Sequence, residues 1–419
     1  MIASTILGFD TLVASWASSV YSSAVDPVSQ EFHVGTVVSL LGLTLYICGF
    51  ATGPLACAPL SEQYGRKYPI TIAAFIFRKI SRHAYCAFFA GVMASCPLAV
   101  VGGAFSDLFG NETRGIAIAS FSAMVSVGPF ISPIVAAFIT ESYLGWRWTQ
   151  YITGIMGALA TVLDVLFLEE TYQKTLLQKC AQFIRSETEN WAIHHVFEEE
   201  LLDFNDLVHN HLALPSRLLF LEPIVFLITL YTAFIYGILY LFLEAYPVVF
   251  AEYRGISSSV STLMYIGLII GVLIGGWIII AFEPRYNRLL RVNNGIPVPE
   301  ERLPPMMIGF LTGAGIMTIF LQALNYLVDA YLVAATSSIA ANTFLRSFFG
   351  AGLLATQFFH NLGVDWAGSL IRFLAVAFMP IPFLFYIFCE RLRKMSRYTF
   401  TDLIKPQGGD EEAPSGKVE

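Results

Sequence analysis

Apolar residues recur along this chain in runs near twenty residues, and short polar segments separate the runs. A helix rises about 1.5 Å per residue, so a run of this length crosses a hydrocarbon core of about 30 Å. The pattern therefore predicts an all-α integral membrane protein. Spans are predicted at residues 4–25, 37–59, 85–105, 116–138, 146–168, 218–243, 260–282, 306–328, 332–357 and 366–389.

Two places break this pattern. Residues 68–77 supply only half a span before the basic segment 78–83, whose charges would each cost about 2.5–3.5 kcal/mol at the membrane centre. After the arginine-rich loop 283–305, three crossings would leave the basic residues 391–397 outside, against the positive-inside rule. A crossing is therefore missing near residues 309–315, by parity alone.

The longest polar segment divides the spans into two groups. It predicts a helical bundle at residues 1–168, a cytoplasmic central loop with amphipathic helical stretches at 169–217, and a second bundle at 218–389. Residues 390–419 form a polar tail, also predicted to be cytoplasmic.

Composition agrees with a membrane protein. The chain is 56% hydrophobic and 13% charged, with a net charge of −7, whereas a soluble domain carries about 25% charged residues. We find no nucleophile–base arrangement, phosphate loop or metal-ligand spacing in the sequence, so an enzyme is not favoured. The expected partners are the lipid bilayer and a small-molecule substrate, for a monomer without cofactor, metal ion or nucleic acid.

A charged turn follows the second predicted span. It contains Glu62, Gly65, Arg66 and Lys67 and lies between two apolar runs. Glycine permits a reversal of the backbone, and the positive-inside rule places the two cations in the cytoplasm. Taken alone, this is either a generic basic turn or part of a family motif.

The predicted span at residues 116–138 contains Gly128, Pro129 and Pro133. Glycine and proline at this spacing thin and kink a helix where it packs closely on a neighbour. Such pairs are also common in membrane helices generally.

Together these motifs resemble those of a known protein family. The Glu62–Lys67 turn resembles the loop between spans two and three of the major facilitator superfamily, and the Gly128–Pro133 segment resembles its antiporter motif. Further segments look like the fungal twelve-span drug:proton antiporters, at residues 17–25, 40–46, 170–172, 236–247, 325–331 and 340–347.

This resemblance covers roughly residues 13–390 and implies a major facilitator fold of two pseudo-symmetric bundles, nominally six plus six spans. About ten or eleven spans are expected here. The implied function is proton-coupled efflux of drugs, toxins or other amphipathic small molecules by alternating access, in a multi-pass protein of the plasma membrane.

The departures from the family favour a second hypothesis. Ala87 stands where the family has an arginine held to serve proton coupling, and the two breaks in the span pattern fall where the family has extra residues. We therefore keep as alternatives a transport-deficient paralogue or a non-transporting sensor. A mis-spliced or mis-predicted reading frame would explain the missing pieces.

Four residues are candidates for substrate binding: Tyr236, Tyr240, Glu244 and Asn342. A carboxylate beside aromatic rings suits a cationic or amphipathic guest, although Glu244 could simply lie at the external interface. Asn342 shares a helix face with Arg346, which could line the cavity or pair with Asp329.

A second group should form a conformational gate at the cytoplasmic end, intact in one state and broken in the other. Its members are Glu62, Gly65, Arg66, Lys67, Asp107, Arg114, Asp329 and Arg346. Outside both groups, Asp10 is either a protonatable site or an incidental polar residue near the start of the chain. The sequence assigns no role to Asp164.

Overall fold

The computed structural model describes residues 2–80, 86–110, 112–191, 214–293, 297–311, 315–331, 335–350, 362–378 and 380–394, apart from some side chains within these ranges. The first group of helices is α1 (Ile2–Ser19), α2 (Val25–Phe32), α3 (Thr36–Tyr64), α4 (Lys67–Ile80), α5 (Ala87–Leu108), α6 (Arg114–Glu141) and α7 (Arg147–Phe167). Helix α8 (Gln173–Thr188) follows in the central loop. The second group is α9 (Leu214–Leu221), α10 (Pro223–Tyr246), α11 (Ser258–Thr262), α12 (Tyr265–Val292), α13 (Leu303–Leu311), α14 (Gly315–Ala330), α15 (Ala335–Gly350), α16 (Val364–Phe378) and α17 (Ile381–Lys394).

The predicted all-α membrane class is confirmed. In the described ranges, seven segments are long and apolar enough to cross a membrane: Val38–Ser61, Ala87–Phe105, Arg114–Glu141, Arg147–Phe167, Pro223–Ala251, Ser258–Val292 and Asp365–Phe388. The other helices of the two groups are shorter or more polar, and they fill the bundles between these segments.

Two boundaries near the first charged turn differ from the prediction. The expected loop at 26–36 is largely helical, because α2 occupies Val25–Phe32. Helix α3 continues to Tyr64 through two prolines, so the turn itself is only Gly65 and Arg66. Gly65 has φ +90°, a conformation that favours glycine.

The third span is short, as the sequence predicted. Helix α4 has 14 residues, Lys67–Ile80, and carries Arg78 and Lys79 in its last turn. At about 1.5 Å per residue it is roughly 20 Å long, well below the thickness of a hydrocarbon core.

The predicted single span 306–328 is wrong. Two helices occupy this region, the nine-residue α13 and the 16-residue α14, and they pack against each other. Arg302 just before α13 bonds Asp329 near the end of α14, so the pair forms an antiparallel hairpin. A hairpin that begins and ends on one side adds no crossing.

The two groups of helices share one apolar core as well as having their own. Leu43 and Phe130 of the first group pack with Leu239 and Tyr265 of the second. The candidate functional site lies on both sides of this shared core.

Helices α3 and α5 pack with their backbones in contact. A Cβ atom on Gly91 would overlap the carbonyl oxygen of Tyr46, and one on Gly49 would overlap the carbonyl oxygen of Phe88. Close contact of this kind, through small residues, is a common way to join membrane helices.

We expect Gly91→Val to prevent most of the chain from folding, because the overlap is with backbone that no side-chain rotation relieves. The fraction of protein that elutes as a single species in detergent measures this. Gly271→Val is the matched control, since nothing lies within 4 Å of its Cβ position. Equal recovery of the two variants would contradict the close α3–α5 contact.

Candidate functional site

The charged turns lie together at one end of the molecule. Arg66 of the turn after α3 bonds Asp107 near the end of α5, and Arg291 near the end of α12 bonds Glu112 in the loop after α5. Several basic loop residues of the sequence lie at this end, so the positive-inside rule predicts that it faces the cytoplasm. We call it the inner end.

The first cluster at the inner end surrounds Arg66, which is buried. Its Nε donates to Asp107 at 3.3 Å and its Nη1 donates to Ser61 at 2.8 Å. The ring of Tyr172 stacks on the guanidinium at 4.8 Å. Two predicted gate residues, Arg66 and Asp107, are therefore in contact.

Glu170, 104 residues after Arg66 in the sequence, stabilises this turn with its carboxylate. Its carboxylate accepts the backbone N–H groups of Arg66 at 2.7 Å and Lys67 at 3.3 Å, and also those of Thr171 and Tyr172 at 3.0 Å. A side chain at Gly65 would overlap this carboxylate. The turn therefore needs glycine for space as well as for its backbone angle.

The second cluster surrounds Arg302. Its Nη1 donates to Glu283 and its Nε donates to Asp329, both at 2.8 Å, and Tyr286 Oη donates to the same Asp329 oxygen at 2.8 Å. The guanidinium also lies 3.5 Å from the Tyr286 ring centroid. The charged side chains of this cluster are at most 5% exposed.

Arg114 lies between the two clusters. It is buried, and its Nη2 donates to the carbonyl of Phe109 at 3.5 Å. Nε and Nη1 have no hydrogen-bond partner among the described residues. The neighbouring Gly115 abuts Glu283 and Arg302, so the start of α6 joins both clusters.

Polar contacts tie the two groups of helices together at both ends. At the inner end, Arg291 donates to Glu112 at 3.0 Å and 3.2 Å. These hydrogen bonds lower the pKa of Glu112, so this contact persists to a lower pH than an ordinary glutamate would allow. At the opposite end, the Ser259 N–H donates to Glu141 at 2.9 Å.

Two of the predicted substrate residues lie where the groups meet. Tyr240 Oη donates to Ser18 at 2.9 Å, which links α10 directly to α1. Tyr236 Oη lies 3.3 Å from Tyr240 Oη. The third, Asn342, donates from Nδ2 to Thr232 at 2.8 Å and so joins α15 to α10, while its Oδ1 has no partner in the described structure.

The predicted pairing of Arg346 with Asp329 is wrong, because Asp329 is bound by Arg302 and Tyr286. Arg346 lies instead between two rings, 4.5 Å from the centroid of Tyr236 and 4.4 Å from that of Phe320. It is 1% exposed, and no hydrogen-bond partner for its three guanidinium nitrogens is present among the described residues. The other predicted alternative, a position lining the cavity, fits this geometry.

Arg346 borders a narrow cavity between the two groups. Its other lining residues are almost all apolar: Leu98, Val101, Gly102, Phe105, Ile118, Phe121, Leu324, Val328, Ile339 and Thr343. A second narrow cavity lies beside Tyr236 and Phe320. A mostly apolar lining with a few polar groups is typical of small-molecule sites, although both cavities are much smaller than a drug-sized ligand in this arrangement.

The close packing expected at Gly128 is confirmed. A Cβ atom there would come within 2.9 Å of Ser15 on α1. Because Pro133 has no N–H, the carbonyl of Pro129 lacks its usual helical donor, and Ser19 Oγ donates to it at 3.1 Å. The prolines thus free carbonyl groups that hold α1 against α6.

The sequence missed several members of these clusters. Glu170, Glu283, Tyr286 and Arg302 were not predicted as site residues, although Glu283 and Arg302 were visible as charged residues of the arginine-rich segment 283–305. The side chains of Glu62 and Glu244 lie outside the described structure.

A sequence model described as "Major Facilitator Superfamily" matches residues 7–399 of this chain. The chain is 48% identical to the Schizosaccharomyces pombe protein "Uncharacterized transporter C36.03c", over 94% of this chain and 81% of that protein. The alignment runs over 435 positions, more than the 419 residues here, so the relative carries residues that this chain lacks.

Two other relatives have names that state a role. "Major facilitator superfamily multidrug transporter FLU1" of Candida albicans is 38% identical, over 94% of this chain and 72% of that protein. "Citrinin biosynthesis cluster MFS transporter mrr1" of Monascus ruber is 39% identical, over 93% and 86% respectively.

Among solved structures, the human organic anion transporter MFSD10 has a TM-score of 0.60 at 13% identity, covering 92% of this chain and 99% of that one. At this identity the likeness concerns the fold alone. The sequence match across nearly the whole chain and these relatives, each at least 38% identical, show that the chain belongs to the major facilitator superfamily.

Proposed function

We propose that the chain exports drugs, toxins or other amphipathic small molecules in exchange for protons. The bundles at residues 1–168 and 218–389 would rock about the central cavities, which would open to one side at a time. The observation that carries this proposal is the mostly apolar cavity between the two groups, whose wall contains the Arg346 guanidinium, a group with no hydrogen-bond partner among the described residues. A polar sugar would need a denser set of hydrogen-bonding groups.

The two inner-end clusters support the same mechanism. Arg66 with Asp107 lies within the first group, and Arg302 with Glu283 and Asp329 lies within the second. The bond between Glu112 and Arg291, and the packing of Gly115 against Glu283 and Arg302, join the two groups and close the inner end in this arrangement. Opening toward the cytoplasm would separate α6 from α12 and break contacts such as Glu112–Arg291. The names of two relatives, a multidrug transporter and a transporter of a citrinin biosynthesis cluster, support the proposed class of substrate.

The short third span and the α13–α14 hairpin favour a second candidate, a transport-deficient paralogue or sensor. Protonophore-sensitive efflux of a fluorescent amphipathic cation separates the two. The cells would express this chain, its Glu244→Gln variant or an empty vector, and surface labelling would check that the chain reaches the plasma membrane.

Efflux above the vector level that a protonophore abolishes is the expected result, and its loss in Glu244→Gln would assign the carboxylate to the site. Vector-level efflux from chain present at the surface would contradict the transport proposal and favour the second candidate.

A further inference from the structure

Two aspartates face each other inside the first bundle. Asp10 of α1 is 4% exposed and Asp164 of α7 is completely buried. Their carboxyl groups are close enough for one to hydrogen-bond the other once one of them carries a proton. Within the described structure, no donor reaches any of the four carboxyl oxygens.

A shared proton would stabilise a buried carboxyl pair that has no donors among the described residues. Ionised carboxylates only accept hydrogen bonds, so two of them side by side repel and leave every oxygen unsatisfied. One shared proton turns the pair into a donor and an acceptor and removes one of the two buried charges. Aspartate pairs in other proteins share a proton for this reason.

The surrounding ionisable groups do not supply a counter-charge in contact. Cys96 of α5 faces the pair, with Cys57 of α3 beside it. Lys67, at the start of α4, acts on Asp164 through its charge but forms no hydrogen bond with it. The proton state of the pair is therefore set mainly by its burial and then by the interaction between the two carboxyl groups.

The pair lies between a cavity and the inner end. Asp10 lines a small, partly open cavity together with Phe77 of the short helix α4 and Pro97 of α5. Asp164 is one turn before Leu168, where α7 ends near the inner-end clusters. A proton could thus enter at Asp10 and leave from Asp164.

We propose that Asp10 and Asp164 form the site that binds the coupling proton. Binding forms one O–H bond and neutralises one carboxylate, and release reverses this, with no redox step. The inference rests on the proposed proton-coupled transport. A purely structural pair, which never exchanges its proton, is the competing outcome.

Infrared spectroscopy of the full chain in liposomes tests the pair without any substrate. We expect the pH-difference spectrum to contain a protonated carboxyl signal that is lost in Asp10→Asn/Asp164→Asn and kept in Glu187→Gln, an exposed control on α8. Asparagine keeps the shape of the side chain. An unchanged signal in the double variant, or no signal in the wild-type chain, would overturn the proposal.

A labelling experiment needs no variant. A hydrophobic carbodiimide reacts with protonated carboxyl groups in apolar surroundings, so peptide mass spectrometry should find the label on Asp10 or Asp164, and more of it at lower pH. Labelling elsewhere only would count against the pair.

Transport separates this inference from the proposed function. In the double variant we expect gradient-driven dye transport to fall by at least about tenfold, while dye exchange without a gradient stays within about twofold. Equal loss of exchange and of driven transport would indicate a structural role. If the wild-type chain shows no driven transport, the proposed function fails, and the infrared result still decides whether the pair exchanges a proton.

Discussion

Replacing Arg302 by glutamine is expected to destabilise the folded chain by about 3–5 kcal/mol, because it leaves buried carboxylates without their counter-charge. Glu283 and Asp329 are each bonded to this guanidinium at 2.8 Å and are almost fully buried. Tyr286 would still donate to Asp329, but Glu283 would keep no charged partner in the described structure.

The midpoint of heat-induced loss of the single species in detergent measures this effect. Arg285→Gln is the matched control, since its ion pair with Glu301 is exposed on the arginine side and contributes at most about 1 kcal/mol. Adding Glu283→Gln to Arg302→Gln should recover part of the loss, because it removes one unpaired charge. Equal midpoints for Arg302→Gln and Arg285→Gln would contradict the role of the cluster.

Replacing Arg346 by glutamine is expected to reduce efflux of an anionic amphipathic dye by about ten- to a hundredfold. The ring centroids of Tyr236 and Phe320 lie 4.5 Å and 4.4 Å from its guanidinium and 6.5 Å from each other, so the two rings pack on adjacent sides of it. Its N–H groups have no acceptor among the described residues. Thr343 Oγ1, one turn away in the same cavity wall, is likewise without a partner in the described structure. A carboxylate or carbonyl of the guest would satisfy these groups, and a charged hydrogen bond contributes about 1.5–3 kcal/mol.

The measurement compares carboxyfluorescein with rhodamine 123 in the same cells. Arg346→Lys should fall between the wild-type chain and Arg346→Gln, because lysine keeps the charge but loses the planar fork. Arg288→Gln, at an exposed position on α12, is the control for the loss of a positive charge. Equal loss of both dyes in Arg346→Gln would show that this arginine does not select for an acceptor on the guest.

The hydropathy of the sequence predicted the spans, because whether a segment is buried in lipid depends on the residues of that segment alone. The breaks at residues 78–83 and 309–315 were also predictable from the sequence. A basic segment is costly inside a membrane, and a missing crossing would place basic residues on the wrong side. The structure gives a short α4 and a break between α13 and α14 at these places. What hydropathy did not predict is the hairpin, which depends on how α13 packs on α14.

The candidate site was predictable only in part. The Gly65–Lys67 turn and its contact with Asp107 follow from a motif in which glycine and charge have definite uses. Glu170 was not predicted as the acceptor for that turn, because it lies 104 residues away and its role is to accept backbone N–H groups. No sequence pattern marks such an acceptor.

By itself, the sequence determined the membrane class, the family and the places where the span pattern breaks. Only the tertiary structure decided that Asp329 pairs with Arg302, that Arg346 lies between Tyr236 and Phe320, and that Asp10 meets Asp164. The physical reason is that lipid selects apolar residues one segment at a time. The partner of a buried charge is selected by the rotation and packing of helices far apart in the chain.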